Sequence, residues 1–250
     1  MKTKQALVTV GGNGNRLRSH GVKFSLSKSF IKFNGKPLLY YCLTNLHKAG
    51  ITDIVIIGNK NSQLKAAKKV ISNLPFVFPF IIFYKDKGLG TCGLPYHAKS
   101  FLNNDFFFEF GHNVVLPSHY RKMDKLKLKN SIVSSIFRTK NYTKRPFIRV
   151  SKNAIISLTK LTGKNDYAIA APYLLDKSYI NLSPILKFNS YKLIQYYLKK
   201  NRLFIVKANF PIEIDVIQDL QKFFSFFNEN PKNLSTKKSY HYHDQLSYPF

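Results

Sequence analysis

Ala6-Leu-Val-Thr-Val-Gly-Gly-Asn-Gly-Asn-Arg-Leu17 is the stretch on which the fold turns. A short apolar run over residues 5–10 stops in glycines, the pattern of a buried strand opening into a loop. Backbone N–H groups in such a loop can approach phosphate oxygens. No Gly-Lys-Ser/Thr follows, so the loop is not a P-loop. Leu17 stands where a third glycine would complete the dinucleotide fingerprint. Taken alone, the Gly-x-Gly is an ordinary tight turn as readily as a phosphate cradle.

What surrounds the loop gives it meaning. After a polar stretch to residue 33, residues 37–49 carry Leu38, Leu39, Cys42, Leu43 and Leu46 at helical spacing. Pro37 suits the start of that helix and Gly50 its stop. Residues 53–58 are an uninterrupted apolar run, as expected of a strand covered on both faces. Residues 61–72 read as helix, 78–84 as strand, 93–102 as helix and 106–110 as strand. This alternation predicts an α/β fold, a Rossmann-like doubly wound mixed sheet with ligands at the carboxyl ends of its strands. The second half is less regular. Strands are expected at 131–138, 147–150, 154–158, 167–173 and 203–206. A helix is expected to start at Ser183-Pro184 and keep one apolar face to Leu198. A further helix closes at Phe227. No repeat or linker divides the chain, so the reading is one domain over 1–230 with a loosely held tail over 231–250.

Composition narrows the class. The chain has 250 residues, 44% hydrophobic and 15% aromatic, enough to build a core. Its formal charge of +28 therefore belongs to a folded protein and not to a disordered polyelectrolyte. The longest apolar stretch, 74–84, is broken by Pro75 and Pro79 and is too short for a bilayer. No signal-peptide core follows Met1. Cys42 and Cys92 form no CxxC or Cys/His cluster and read as free thiols in a reducing, cytoplasmic setting. Forty basic residues against twelve acidic ones attract phosphorylated or otherwise anionic partners. The densest run, 121–129, is expected to be the solvated face of a short element. No RNA-recognition box, zinc finger or basic zipper accompanies the charge, so nucleic acid is not expected, although the charge permits it. A homo-oligomer is neither required nor contradicted.

The glycine segment followed by Lys28-Ser-Phe-Ile-Lys-Phe-Asn-Gly-Lys-Pro-Leu38 resembles the sugar-phosphate nucleotidylyltransferase family, which includes the NDP-sugar pyrophosphorylases and glucose-1-phosphate thymidylyltransferases. Gly11, Gly12, Gly14, Arg16 and Leu17 match its opening motif, and Lys28, Gly35, Lys36, Pro37 and Leu38 its continuation. Leu89-Gly-Thr-Cys-Gly93, the segment 164–173 and Glu213-Ile-Asp215 are similar to later motifs, in the right order over about residues 5–228. The resemblance implies a GT-A-like fold and transfer of a nucleotidyl group from an NTP to a sugar 1-phosphate or similar phosphomonoester. An acceptor phosphate oxygen attacks the α-phosphorus and pyrophosphate leaves in line.

It also implies roles. Gly11, Gly12, Gly14, Gly90 and Thr91 would hold the nucleotide. Arg16 would clamp the departing phosphates, and Lys28 would neutralise the α-phosphate. Lys160 and Ala171 would face the sugar phosphate. Asp215, or Glu213 if the register slips, would hold Mg²⁺, with Mn²⁺ as the alternative ion.

The departures mark a divergent member. Ser27 replaces a proline, Thr159 a glutamate and Ala171 a glycine. His112 stands where the family has a metal-binding aspartate; it is either a ligand better suited to manganese or zinc, or a structural histidine. An active transferase, a catalytically impaired nucleotide binder and a polyanion binder are the three readings, in that order. His241 and His243 in the tail read as an incidental pair.

Overall fold

The computed structural model describes every residue except 13, 20, 23, 87, 89, 104, 139–146, 152–153, 160–165, 209–220, 223–224 and 226–250. At 16, 151, 154–159 and 166 it describes the backbone alone. The tail over 231–250, with His241 and His243, and the predicted helix end at 227 thus lie outside the described residues.

The chain runs β1 (Gln5–Thr9), α1 (Asn15–Arg18), β2 (Lys32–Phe33), β3 (Lys36–Pro37), α2 (Leu38–Ala49), β4 (Asp53–Gly58), α3 (Asn61–Ser72) and β5 (Phe80–Lys85). It continues α4 (Leu94–His97), β6 (Asp105–Phe110), α5 (Pro117–Leu126), β7 (Ile132–Phe137), β8 (Phe147–Ser151), β9 (Ala154–Thr159) and β10 (Asp166–Asp176). The last elements described in full are α6 (Lys177–Ile185), α7 (Ser190–Lys199) and β11 (Leu203–Lys207). Nine strands form one sheet in the order β11-β7-β10-β6-β1-β4-β5, with β8 and β9 extending from β10. β1 is parallel to β4 and β6, and β10 runs antiparallel to β6, β7 and β8. The α/β Rossmann-like reading holds, and the less regular second half joins the first in a single mixed sheet.

Side-chain alternation sends each strand's residues to opposite faces. Ala6, Val8, Ile54, Ile56 and Phe107 pack with α2 and α5 residues such as Leu39, Leu43 and Met123. Leu7, Val55, Ile57, Phe106 and Phe108 pack with Leu94 of α4, Ile180 of α6 and Tyr197 of α7. The uninterrupted run in β4 is therefore covered on both sides, as its composition demands. Leu17, Val22, Phe33, Leu38 and Tyr41 make a smaller cluster beneath the polar stretch after β1.

Several local expectations need correction. The helix expected over 93–102 is broken into 3-10 turns at Thr91–Gly93 and Lys99–Phe101 flanking the four-residue α4, with Pro95 in the first turn of α4. The strand expected from 78 begins at Phe80, just after Pro79, which has no N–H for a ladder. Ser183-Pro184 does not start a helix. It sits in the last turn of α6, and Lys187 and Phe188 at φ 53° and 51° turn the chain before Asn189 caps α7 by accepting from Lys192 N–H at 3.0 Å. Asn189 is the better cap because its short carbonyl reaches the third backbone N–H. Residues 117–126 form α5, but the basic run is not wholly solvated. Lys127 turns inward, 5% exposed, with Nζ 2.8 Å from Asp176 and 3.1 Å from Asp105.

His119 on α5 is buried, with Nε2 2.8 Å from Ser135 Oγ. Burial, helped by Lys122, lowers its pKa from the usual 6.5 to about 4. The unfolded chain therefore takes up a proton that the native state refuses, and stability falls as pH drops from about 6.5 toward 4. Between pH 7 and pH 5 this group is expected to cost about 2 kcal/mol. Urea midpoints measured against pH in the wild type and in His119→Gln check it, since the variant loses that part of the slope.

Candidate functional site

The strand order reverses between β1 and β6: from β1 the chain builds outward through β4 and β5, then returns to the other side. The carboxyl ends of β1 and β6 therefore border the switch-point crevice of a doubly wound sheet. Gly11 and Gly12 leave β1 there, and Gly111-His112-Asn113 leave β6. Gly111 N–H donates to Thr9 O at 2.8 Å, so the two exits are directly joined.

Gly14 at φ 60° caps α1, a conformation that L side chains rarely adopt. A Cβ there would overlap the Phe24 ring and lie 3.2 Å from Lys28 Cγ. The lysine stem thus runs against the glycine loop. Lys28 opens the 3-10 turn Lys28–Phe30, and the residue before it is tied down: buried Ser27 donates its hydroxyl to Val10 O at 2.7 Å. A proline in place of Ser27 would lack this bond. Gly111 is equally constrained, because a Cβ would meet Leu39 at 2.9 Å, Ser29 Oγ at 3.1 Å and Thr9 O at 3.2 Å.

Gly90, exposed at φ 71°, and Thr91, also exposed, lie on the loop after β5. That loop is pinned by Asp86, whose Oδ1 accepts from Gly88 N–H at 3.0 Å and lies 2.9 Å from His97 Nδ1. Asp86 N–H in turn donates to Gly58 O at 2.8 Å, which sets the loop beside the carboxyl end of β4. His112 is 7% exposed and stacks on Phe110 at 5.6 Å between ring centroids. Ala171 is fully buried next to the cis bond to Pro172. Arg16 lies in α1, where only its backbone is described. Lys160, Glu213 and Asp215 lie outside the described residues, and the side chain of Thr159 is not described. The described part of the structure therefore brings together Gly11, Gly12, Gly14, Lys28 and His112 around the switch point.

Sequence reasoning missed what lies beneath them. Glu109 on β6 is fully buried; its Oε1 accepts from Phe110 N–H at 2.8 Å and Asn113 Nδ2 at 2.9 Å, and its Oε2 from Tyr120 at 2.7 Å. Asn113 Nδ2 also reaches Ala171 O at 3.4 Å, linking the β6 exit to β10. Burial, and then the Glu109 charge, push the Tyr120 phenol and the Cys42 thiol up, which keeps both neutral. The signal was there: a carboxylate inside Phe106-Phe-Phe-Glu-Phe110 must find donors or lose its charge. Asn113→Ala is expected to cost about 2 kcal/mol, because it takes a donor from a buried carboxylate. Chemical denaturation measures that cost.

Among the described residues no Mg²⁺ site is assembled, and the carboxylates assigned to one, Glu213 and Asp215, lie outside them. His112 offers one imidazole, the Glu109 oxygens are engaged, and the described residues contain no group of three or more metal-ligating side chains. A hard cation prefers oxygen ligands, which among the residues assigned to it only Glu213 and Asp215 would supply.

The sheet order places the chain among the doubly wound α/β proteins. It belongs to the nucleotidyl transferase family, whose model matches residues 5–150. Over 140 residues it is 28% identical to a mannose-1-phosphate guanyltransferase of Aspergillus oryzae, covering 54% of this chain and 37% of that protein. Over 114 residues it is 32% identical to a glucose-1-phosphate thymidylyltransferase of Streptomyces griseus, covering 45% and 31%. The chain thus spans well under half the length of these curated relatives. Among solved structures, the inositol-1-phosphate CTP transferase from T. maritima superposes with a TM-score of 0.74 at 20% identity, covering 95% of this chain and 98% of that one. That likeness confirms the fold.

Proposed function

We propose that this protein is a nucleotidylyltransferase that moves a nucleoside monophosphate from an NTP to a sugar 1-phosphate or similar phosphomonoester, with release of pyrophosphate. The observation that carries the proposal is the contact between the glycine loop and Lys28 at the β1/β6 switch point. Backbone amides of Gly12 and Gly14 supply neutral donors for phosphate oxygens, and Gly11, whose N–H donates to Thr9 Oγ1 at 3.3 Å, leads the chain into the loop beside them. Lys28 supplies the charge that an α-phosphate gathers as its leaving group departs. Arg16 is assigned to the departing phosphates, Gly90 and Thr91 to the nucleotide, and Lys160 with the Ala171 segment to the acceptor phosphate. The acceptor oxygen is itself the nucleophile, so the protein's work is to align it and neutralise charge.

A divalent cation belongs to the proposal. Asp215 is the carboxylate assigned to it, Glu213 its alternative and His112 a further ligand, with Mg²⁺ expected unless the imidazole coordinates, in which case Mn²⁺ is preferred. The free thiols support a cytoplasmic setting.

The test is pyrophosphate release from each common NTP with a panel of sugar 1-phosphates, inositol 1-phosphate and phosphocholine. Mg²⁺ and Mn²⁺ are run in parallel, with Asp215→Ala as control. Release that needs both substrates and vanishes in the control supports the transferase. The burial of His112 favours a second reading, a nucleotide-binding relative without turnover. Thermal stabilisation by NTP with no pyrophosphate from any pair would select it.

A further inference from the structure

The end of the molecule opposite the crevice carries features that the proposed reaction leaves unused. The amino ends of β1, β4, β6, β7 and β11 gather there with the carboxyl ends of β10 and α5. Lys4 O accepts from Thr52 and Asp53 N–H at 2.9 and 3.0 Å, Arg202 O accepts from Ile132 N–H at 3.0 Å, and Asp176 pairs in register with Asp105. Lys2, Lys4, Lys129, Lys177, Lys200 and Arg202 are all exposed at this end.

Its carboxylates are mostly spoken for. Lys127 holds Asp105 and Asp176, and Asp124 accepts from Lys2 and Thr3 N–H at 2.7 and 3.0 Å. Among the described residues of this end only Asp53, half-buried, is left to offset the lysines. At the same end lies Lys125-Leu-Lys-Leu-Lys129, leading from α5 toward β7. The chain leaves α5 at Lys127, whose backbone is extended. Lys127 turns in to its two aspartates, whereas Leu126 and Leu128 are 40% and 49% exposed between exposed Lys125 and Lys129.

We infer that this end of the sheet is a docking surface for an anionic lipid bilayer. The lysines meet the headgroup phosphates, and Leu126 and Leu128 enter the acyl boundary. Charge alone suits any polyanion, but exposed leucines between exposed lysines suit a surface with an apolar layer under a charged one. Nucleic acid offers no such layer. The inference does not depend on the proposed reaction. The crevice at the opposite ends of β1 and β6 lies about 20 Å away across the sheet and faces solution when the protein is bound.

The full chain is sedimented with vesicles of phosphatidylcholine alone and of phosphatidylcholine mixed with phosphatidylglycerol, over a range of salt. Partition into the mixed vesicles only, weakening with salt, is expected. Leu126→Ser/Leu128→Ser should weaken it roughly ten-fold, and Lys129→Glu/Lys200→Glu at least roughly twenty-fold, given about five-fold per surface charge. These residues are exposed, so unchanged thermal melting certifies the fold of each variant. Absence of partition overturns the inference. So does equal retention by the leucine variant, or tighter binding to a single-stranded oligonucleotide than to the mixed vesicles, either of which would make the surface a general polyanion site.

Discussion

Lys28→Ala is expected to lower kcat/KM for pyrophosphate release about a thousand-fold, near 4 kcal/mol of transition-state stabilisation. The magnitude follows from where the lysine is held. Its stem lies against Gly14, and its turn is tied through Ser27 to the end of β1. A charge so placed needs little reorganisation when negative charge builds on the α-phosphate. The loss should appear mainly in kcat, because the interaction strengthens as the leaving group departs. Lys28→Arg keeps the charge on a bulkier head and should recover only part of the rate. Steady-state kinetics with the best substrate pair decide the matter; a variant altered in KM alone would remove Lys28 from the chemistry.

Lys127→Met is expected to cost about 3 kcal/mol of stability, at the lower end for breaking a buried ion pair. Lys127 Nζ sits between Asp105 and Asp176 and also donates to Leu128 O at 2.7 Å. Asp176 is itself buried and caps α6 by accepting from Ser178 N–H at 2.9 Å. Removing the cation leaves that buried carboxylate with only neutral donors. Asp105 is partly open to water and loses less, which keeps the figure at the lower end. Urea midpoints measure the cost, and Lys127→Met/Asp176→Asn should recover part of it, the coupling showing as non-additivity. Simple additivity would mean that the pair adds nothing beyond packing.

The first half of the fold was legible because each element carries its own punctuation. β4 is an unbroken apolar run, α2 begins after Pro37 and stops at Gly50 with φ 101°, and β1 ends in glycines. The break between α6 and α7 was not legible, since residues 185–198 keep an apolar period straight through the turn, and the positive φ values fall on Lys187 and Phe188, residue types that do not announce them. β10 was cut short in the reading at 173 although it runs to Asp176, because Pro172 sits at its irregular register with β7. At the crevice, the glycines showed in the local pattern, while Lys28 was singled out only by the resemblance to the family's motif. Asn113 could be found from neither, because its partners are four and 58 positions away and only folding brings them together. Lys127 shows the same limit from the other side: its charge argued for solvent, and two distant aspartates decided otherwise.

The antiparallel β10 carries a lesson about synthesis. It lies between β6 and β7 and pairs with both, although it is made after either. On the ribosome, β1, β4, β5 and β6 can assemble in order of emergence, yet the β6 edge carrying Phe106, Phe107 and Phe108 stays unpaired until residue 176 has left the exit tunnel. For that interval the nascent chain presents an aromatic strand edge to its surroundings, the species that chaperones attend and that aggregates if synthesis stalls. Truncation after residue 150, the end of the family-matched segment, would make that interval permanent.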